Sequence, residues 1–388
     1  MVERKKIALF FSYNEGWIGG TYYILSLINA LKNLPDDAKP VLIIVCSTDS
    51  EFLLTQQTNY PYLIRHDFQK INLQLHSTLF ERAINKISEK ILKRKVLQKK
   101  QLLNYPEFVD ALFPCPQMNT FQDVRTSVFW IPDFQEYHLP EFFSSKDEKE
   151  WRYKFGAYVA QHHLPLVLSS KDAFNDFNTI YPNNKSEVHI IPFAVSHPDF
   201  AHLDIQQLKE KYHIDRPYFF SPNQFWKHKN HNVVIEAAKL LTENGITDFQ
   251  IAFSGKEFDF RNPDYIHELK EKVKNYKLED HISFLGFIDR AEQLQLMNHA
   301  ISIIQPSLFE GWSTVVEDAK AMNQPVIASD LNVHKEQLQN YGGIFFNRKD
   351  ATELATCLKE TLSNIPDKKH YDYNKDKLIF AENFMKCV

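Results

Sequence analysis

Short apolar runs alternate with longer amphipathic ones along this chain, and no other feature of the sequence restricts its fold so strongly. The strand-like runs of the first half are KIALFFS (6–12), VLIIVCS (41–47), FVDALFP (108–114), SVFWIPD (127–133) and LPLVLSS (164–170). Those of the second half are PYFFSPN (217–223), FQIAFSG (249–255), HISFLGF (281–287), AISIIQPS (300–307) and QPVIASD (324–330). Helical runs such as TYYILSLINALKNL, NVVIEAAKLLTENG, RAEQLQLMNHA and TVVEDAKAMN lie between them. This is the pattern of parallel βαβ units, whose strands are buried on both faces by their crossover helices. A chain of 388 residues exceeds what one core usually organises. The expected fold is therefore α/β, with two Rossmann-like, doubly wound domains facing a cleft. Prolines interrupt both patterns in IPFAVSHPDFAHL (191–203). We accordingly expect a first domain at 1–195, a second at 196–370, and a C-terminal helix within 371–388 that returns to the first domain. Ligands of such folds sit beyond the carboxyl ends of the strands, here in the cleft.

Composition excludes several alternatives. The net charge of −4 offers no global attraction to nucleic acid, so no nucleic-acid partner is expected. The four cysteines (Cys46, Cys115, Cys357, Cys387) are scattered without a C-x-x-C pair, which argues against a disulfide framework or zinc site and suits a reducing cytoplasm. No stretch is apolar for the roughly 18 residues a membrane span needs, and the N-terminal run is too short for a secretory signal. One segment departs from the overall charge: 82–100 holds eight basic residues and one acid, with Ile84, Ile87 and Ile91 at helical spacing. It reads either as a helix resting on anionic lipid or as a solvated helix packed by its isoleucines. Glycine is scarce, ten in all, so Gly16, Gly19, Gly20, Gly286 and Gly311 should mark places where the backbone needs them.

The most informative stretch is PSLFEGWSTVVEDAKAMNQPVIASD (306–330). A buried strand precedes it, and T-x-x-E at Thr314–Glu317 has the form of a capping box, which would turn Glu317 back onto its own helix. Glu310 then stands at the mouth of the cleft and Asp318 in the first helical turn, where an acid suits the dipole. The amides of Ser313, Thr314 and Val315 would point out of the helix start and form an anion site. Spacing alone leaves open a simple loop with two solvated acids.

The segment EGWSTVVEDAKAMNQPVI resembles the signature of glycosyltransferase family 4, retaining enzymes of the GT-B fold, in which seven residues separate two acids ahead of P-V-I. Aligning Pro325-Val326-Ile327 places the acids at Glu310 and Asp318. The resemblance implies that Glu310 addresses the donor sugar, and that Asp318, where the family has Glu, holds the ribose hydroxyls. It draws Gly311 and Trp312 into the donor site with Ser313, Thr314 and Val315. After the strand PYFFSPN the family carries an Arg and, five residues on, a Lys that reach the diphosphate. Lys229 matches the Lys, Gln224 stands at the Arg position, and Lys227 is a candidate for the missing charge. Gly19 and Gly20 match the loop that closes over the phosphates, although tight packing would also explain them. Phe287 and Ile288 match the segment whose backbone meets the base. In WIPDFQEYHLPEFFS (130–144), Asp133, Pro140 and Glu141 match, Pro132 replaces the family's His, and His138 is the remaining candidate to face the acceptor. Ser169 and Ser170 end a strand on the same side.

Glu310 and Asp133, which match the family's pattern, and His138, which does not, are thus the catalytic candidates. The implied activity is transfer of a sugar, with retention, from a nucleotide-diphosphate donor to a glycan or lipid-linked acceptor in surface polysaccharide or glycoconjugate synthesis. No D-x-D occurs, so neither a metal nor another cofactor is expected. The location implied is cytoplasmic, with peripheral contact at the inner membrane face through 82–100. Two alternatives stay open: a nucleotide-sugar 2-epimerase on the same fold, and a donor-binding subunit without turnover, suggested by Pro132 and Gln224.

Overall fold

The structure, a computed structural model, describes residues 3–71, 73, 83, 84, 86–88, 90, 101–143 and 146–388. The basic segment 82–100 lies for the most part outside the described residues.

The first half builds two parallel sheets. Strands β1 (Lys6–Phe10), β2 (Val41–Cys46), β3 (Leu63–Asp67), β4 (Val109–Phe113) and β5 (Val124–Ser127) form the first, in the order β3-β2-β1-β4-β5. Strands β6 (Phe129–Trp130), β7 (Pro165–Leu168) and β8 (Glu187–Ile190) form a smaller one, in the order β6-β7-β8. The run SVFWIPD, expected as one strand, is shared between these sheets. Val128 donates its amide to Leu112 in β4, whereas the Ile131 amide reaches Val167 in β7. The extended chain changes partners at Val128, so one doubly wound sheet becomes two.

The second half is a single parallel sheet of β9 (Tyr218–Pro222), β10 (Gln250–Ser254), β11 (Ile282–Phe284), β12 (Ile303–Gln305), β13 (Val326–Ser329) and β14 (Ile344–Phe346). Its order is β11-β10-β9-β12-β13-β14. The order reverses between β9 and β12, and in the first sheet between β1 and β4. These switch points are where crevices open at the carboxyl ends of strands.

Helices cover the sheets because their apolar faces need burial. Helix Ile18–Leu31 buries Tyr23, Ile24, Leu27, Ile28 and Leu31 against β1 and β2. The C-terminal helix Asn374–Cys387 crosses back to join this core through Phe380, Ala381 and Phe384. Residues Ile191, Phe193, Ala194 and Val195 belong to the same core. At Gly311 the two halves approach closely: a Cβ there would lie 2.2 Å from the Pro132 carbonyl oxygen. Among the described residues, no helix is long and apolar enough to cross a membrane.

Candidate active site

The loop after β9 is shaped by buried amides. Asn223 donates to Gln305 Oε1 (3.0 Å) at the end of β12, tying the two switch-point strands together. The chain makes a short 3-10 turn at Lys227–Lys229 and passes through Asn230, whose φ of +57° is left-handed. The Asn230 side chain donates to the Pro306 and Arg348 carbonyls, which holds a strained residue at the start of helix His231–Glu243. That geometry delivers Lys229 to the mouth of β12. There its ammonium bonds Glu310 Oε1 at 2.6 Å, beside Gln305 Nε2 at 2.7 Å and Ser307 Oγ at 2.6 Å. Glu310 is thus a carboxylate fixed by three donors on one oxygen, at the rim of the cleft.

The helix Thr314–Ala321 begins differently from the expected capping box. Ser313 is the cap: its Oγ accepts from the Val316 amide at 3.3 Å. Gln337 clamps it from behind, accepting from the Ser313 amide and donating to its carbonyl. Glu317 points inward instead, where it meets Lys320, Gln337 and Tyr373. Burial raises the Glu317 pKa against the pull of Lys320 and those hydrogen bonds. Because Gln337 takes the Ser313 amide, the amides open to an anion are those of Thr314 and Val315 rather than all three.

Asp318 is buried, 1% exposed. Its Oδ1 accepts from Arg290 Nη2 (2.5 Å) and His197 Nε2 (2.9 Å), while Oδ2 has no hydrogen-bond partner. Burial alone would push this carboxyl up, but the Arg290 guanidinium and His197 outweigh it, and the net shift is downward. Tyr22 of the first domain lies under the same guanidinium, 4.9 Å from Cζ to the ring centroid.

A cleft of about 210 Å³ collects these groups. Gly19, Asp133, Ser169, Gln224, Lys229, Phe287, Ile288, Glu310, Gly311, Trp312, Ser313, Thr314, Val315 and Asp318 all line it. Several sequence candidates take other places. Gly20 is packed under Trp17, where an added Cβ would lie only 2.6 Å from that ring, and it is not part of the cleft lining. Ser170 caps the helix Lys171–Ile180. Lys227 stands outside the lining, and the second cation in the cleft is Arg290. His138 also stands outside it: Nε2 pairs with Asp176 at 2.8 Å and the ring stacks on Phe309. The Asp176 hydrogen bond raises its pKa. Asp133 lines the cleft but is held by Arg152. Gln224 donates across the domains to the Glu15 carbonyl at 3.0 Å, and Trp312 Nε1 donates to the Phe193 carbonyl.

Arg290 and His197 were missed by sequence reasoning. Arg290 opens the helix directly after the F-L-G-F segment, a position that could have signalled it; nothing local marks His197. Each acid of the cleft is therefore paired with a cation: Glu310 with Lys229, Asp318 with Arg290, Asp133 with Arg152. Among the described residues, no cluster of His, Cys, Asp or Glu is placed to hold a metal ion.

Residues 204–378 match the family model described as glycosyl transferases group 1. With two parallel-sheet halves around a cleft, the chain has the GT-B fold, and its second half is what resembles the group 1 model. In sequence, the chain is similar to the O-antigen chain mannosyltransferase RfbU of Salmonella typhimurium, 25% identical over 261 residues that cover 67% of each chain. Two further curated relatives are matched over 51% and 38% of their lengths. Among solved structures it is similar to a glycosyltransferase from Rickettsia africae, with TM-score 0.61 and 16% identity over 99% of this chain and 93% of that one. Anabaena HepE in complex with UDP and glucose gives TM-score 0.60 and 15% identity over 99% and 95%. At these identities the structural likeness is one of fold.

Proposed function

We propose that the chain moves a sugar from a nucleotide-diphosphate donor to an acceptor hydroxyl, with retention at the anomeric carbon and without a metal ion. The observation that carries this reading is the convergence of Glu310–Lys229, the Thr314 and Val315 amides and Asp318–Arg290 on one cleft. In this reading Lys229 and the two amides take the diphosphate. Asp318 takes a ribose hydroxyl through its unpaired Oδ2, and the backbone at Phe287 and Ile288 meets the base. Glu310 orients the sugar. The bond from the anomeric carbon to the acceptor oxygen forms as the bond to the diphosphate oxygen breaks. The electron pair stays on the diphosphate, which also takes the acceptor's proton. Charge rises on the leaving group and on the sugar, and those are the charges that Lys229 and Glu310 are set to meet.

The cleft is smaller than the roughly 300 Å³ of pockets that take drug-sized ligands. The contacts at Gly311 and Gln224 join the two sides of the cleft, and parting of the domains on donor entry is part of this proposal. The name of RfbU supports a place in surface polysaccharide synthesis, and the UDP and glucose bound to HepE support a nucleotide-sugar donor. A cytoplasmic location, with 82–100 touching the inner membrane face, belongs to the same proposal. Liposome flotation without salt-sensitive binding would remove the membrane contact.

Thermal-shift screening against a panel of nucleotide sugars tests the whole reading. Labelled donor then follows, with hydrolysis, epimerisation and transfer scored in the presence and absence of a chelator. One nucleotide sugar should raise Tm, its sugar should appear in a product of unchanged anomeric configuration, and the chelator should change neither. No stabilisation and no turnover with any donor would overturn the proposal. Stabilisation without turnover would select the donor-binding subunit, the reading favoured by Pro132 packed on Gly311 and by Gln224 spent on Glu15.

A further inference from the structure

His228 stands next to Lys229 on the 3-10 turn Lys227–Lys229 and lines the same cleft. Its backbone is pinned, because the carbonyl accepts from the Leu308 amide at 2.8 Å, on the loop that carries Glu310. Its ring packs against Trp226, with 5.4 Å between the ring centroids. The residue is 5% exposed, and Nδ1 is buried without a hydrogen-bond partner. Nε2 makes no hydrogen bond among the described residues, yet unlike Nδ1 it keeps accessible surface. One ring nitrogen is thus sealed in and the other is open.

The charged groups that act on this ring are Lys229 and Arg261, both cations; His231, the other titratable neighbour, is itself buried and neutral. Burial and the two cations hold the His228 pKa well below the ordinary histidine value, so the ring is neutral and carries one N–H. On Nδ1 that proton would be a buried donor without an acceptor, which is costly. On Nε2 it meets the cleft. Other donors at this place are already committed: Gln224 to the Glu15 carbonyl, the Ser313 amide to Gln337, and Lys229 in part to Glu310. A neutral N–H adds a charge-assisted bond to an anion without bringing a further charge beside Lys229 and Arg261.

Resting on the glycosyl-transfer reading, we propose that His228 is a further donor-binding residue, whose neutral imidazole donates from Nε2 to a non-bridging oxygen of the nucleoside diphosphate beside Lys229. The contact belongs to the diphosphate rather than to the hexose. A ring acted on by cations alone sits in positive potential, which an anionic oxygen relieves and a hydroxyl does not. The bond strengthens as the sugar departs and charge collects on the diphosphate. Because it needs a donor and not a charge, an amide of similar reach replaces the imidazole.

Gln and Met separate the donor from the shape, since their side chains are similar in length and only Gln ends in N–H groups. Whichever of UDP, GDP, ADP and CDP binds the full wild-type chain is titrated calorimetrically into wild type, His228→Gln and His228→Met. His228→Met should bind it about tenfold more weakly or worse, and His228→Gln should stay within about threefold of wild type. Wild-type affinity in His228→Met, or equal losses in the two variants, overturns the inference. So does a loss in His228→Met that is seen with the hexose conjugate of that nucleotide and not with the diphosphate alone, because the ring would then touch the sugar. If wild type binds none of the four, the glycosyl-transfer reading falls first; if it binds one and the variants do not separate, only the assignment of His228 falls. Should His228→Met fail to fold, judged by its Tm without nucleotide, His228→Leu takes its place in the same comparison.

Discussion

Replacing Glu310 by Gln keeps the shape of the side chain and removes its charge. Its Oε1 accepts from Lys229, Gln305 and Ser307 at 2.6, 2.7 and 2.6 Å, and the side chain is only 9% exposed. An amide oxygen can still accept from Gln305 and Ser307, so the local shell should hold. The charge-assisted contact to Lys229 is the one that weakens, and such contacts are worth about 1.5–3 kcal/mol. The released ammonium is then free for the donor diphosphate. Nucleotide affinity in Glu310→Gln should therefore stay level or rise, by up to about tenfold. Turnover should move the other way. Losing an electrostatic contact that strengthens in the transition state lowers kcat by about 10²–10³, equivalent to about 3–4 kcal/mol. Isothermal titration reads the first quantity, and release of nucleotide from whichever donor stabilises the wild type reads the second. A variant with near-normal turnover would refute the reasoning and leave Glu310 as a structural partner of Lys229.

Three other outcomes follow from particular contacts. Gly311→Ala places a Cβ 2.2 Å from the Pro132 oxygen and 2.8 Å from Asp133 Cβ; overpacking of this kind costs about 1–3 kcal/mol, and small-angle scattering should show the domains displaced. Tyr373→Phe removes a hydroxyl that donates to Glu317 (2.7 Å) and accepts from the Val195 amide (2.8 Å). Urea unfolding should register about 1–3 kcal/mol for the two buried groups left short. Because Asp318 has a lowered pKa, its contribution to stability is present above the ordinary carboxylate value and is lost as pH falls through the lowered one. Arg290→Ala should move acid unfolding to higher pH and cost about 3–5 kcal/mol at neutral pH; an unchanged acid midpoint would mean that Arg290 does not hold Asp318 ionised.

Much of the fold was legible because parallel strands buried on both faces announce themselves. Interior strands such as VLIIVC, and the IAF centre of QIAFS, are apolar throughout, and their pattern alone identifies them. The strands that escaped, β3 (LIRHD), β5 (VRTS), β8 (EVHI) and β14 (IFF), all lie at sheet edges. Edge strands are covered less completely, so polar residues are tolerated and the pattern weakens. The split at Val128 left no trace either, since an extended apolar run looks the same whether it serves one sheet or two.

For the site, the sequence alone determined what local patterns encode: parallel α/β halves, a turn with Glu310 at a strand end, and a helix opening near Thr314. Tertiary structure decided the pairings. Asp318 met Arg290 and His197, from 28 and 121 residues away; Glu317 left the expected cap for Tyr373; and Asp176 held His138 outside the cleft. Periodicity and capping act within a few residues of chain, whereas the partner of a buried charge depends on which segments packing brings within about 3 Å.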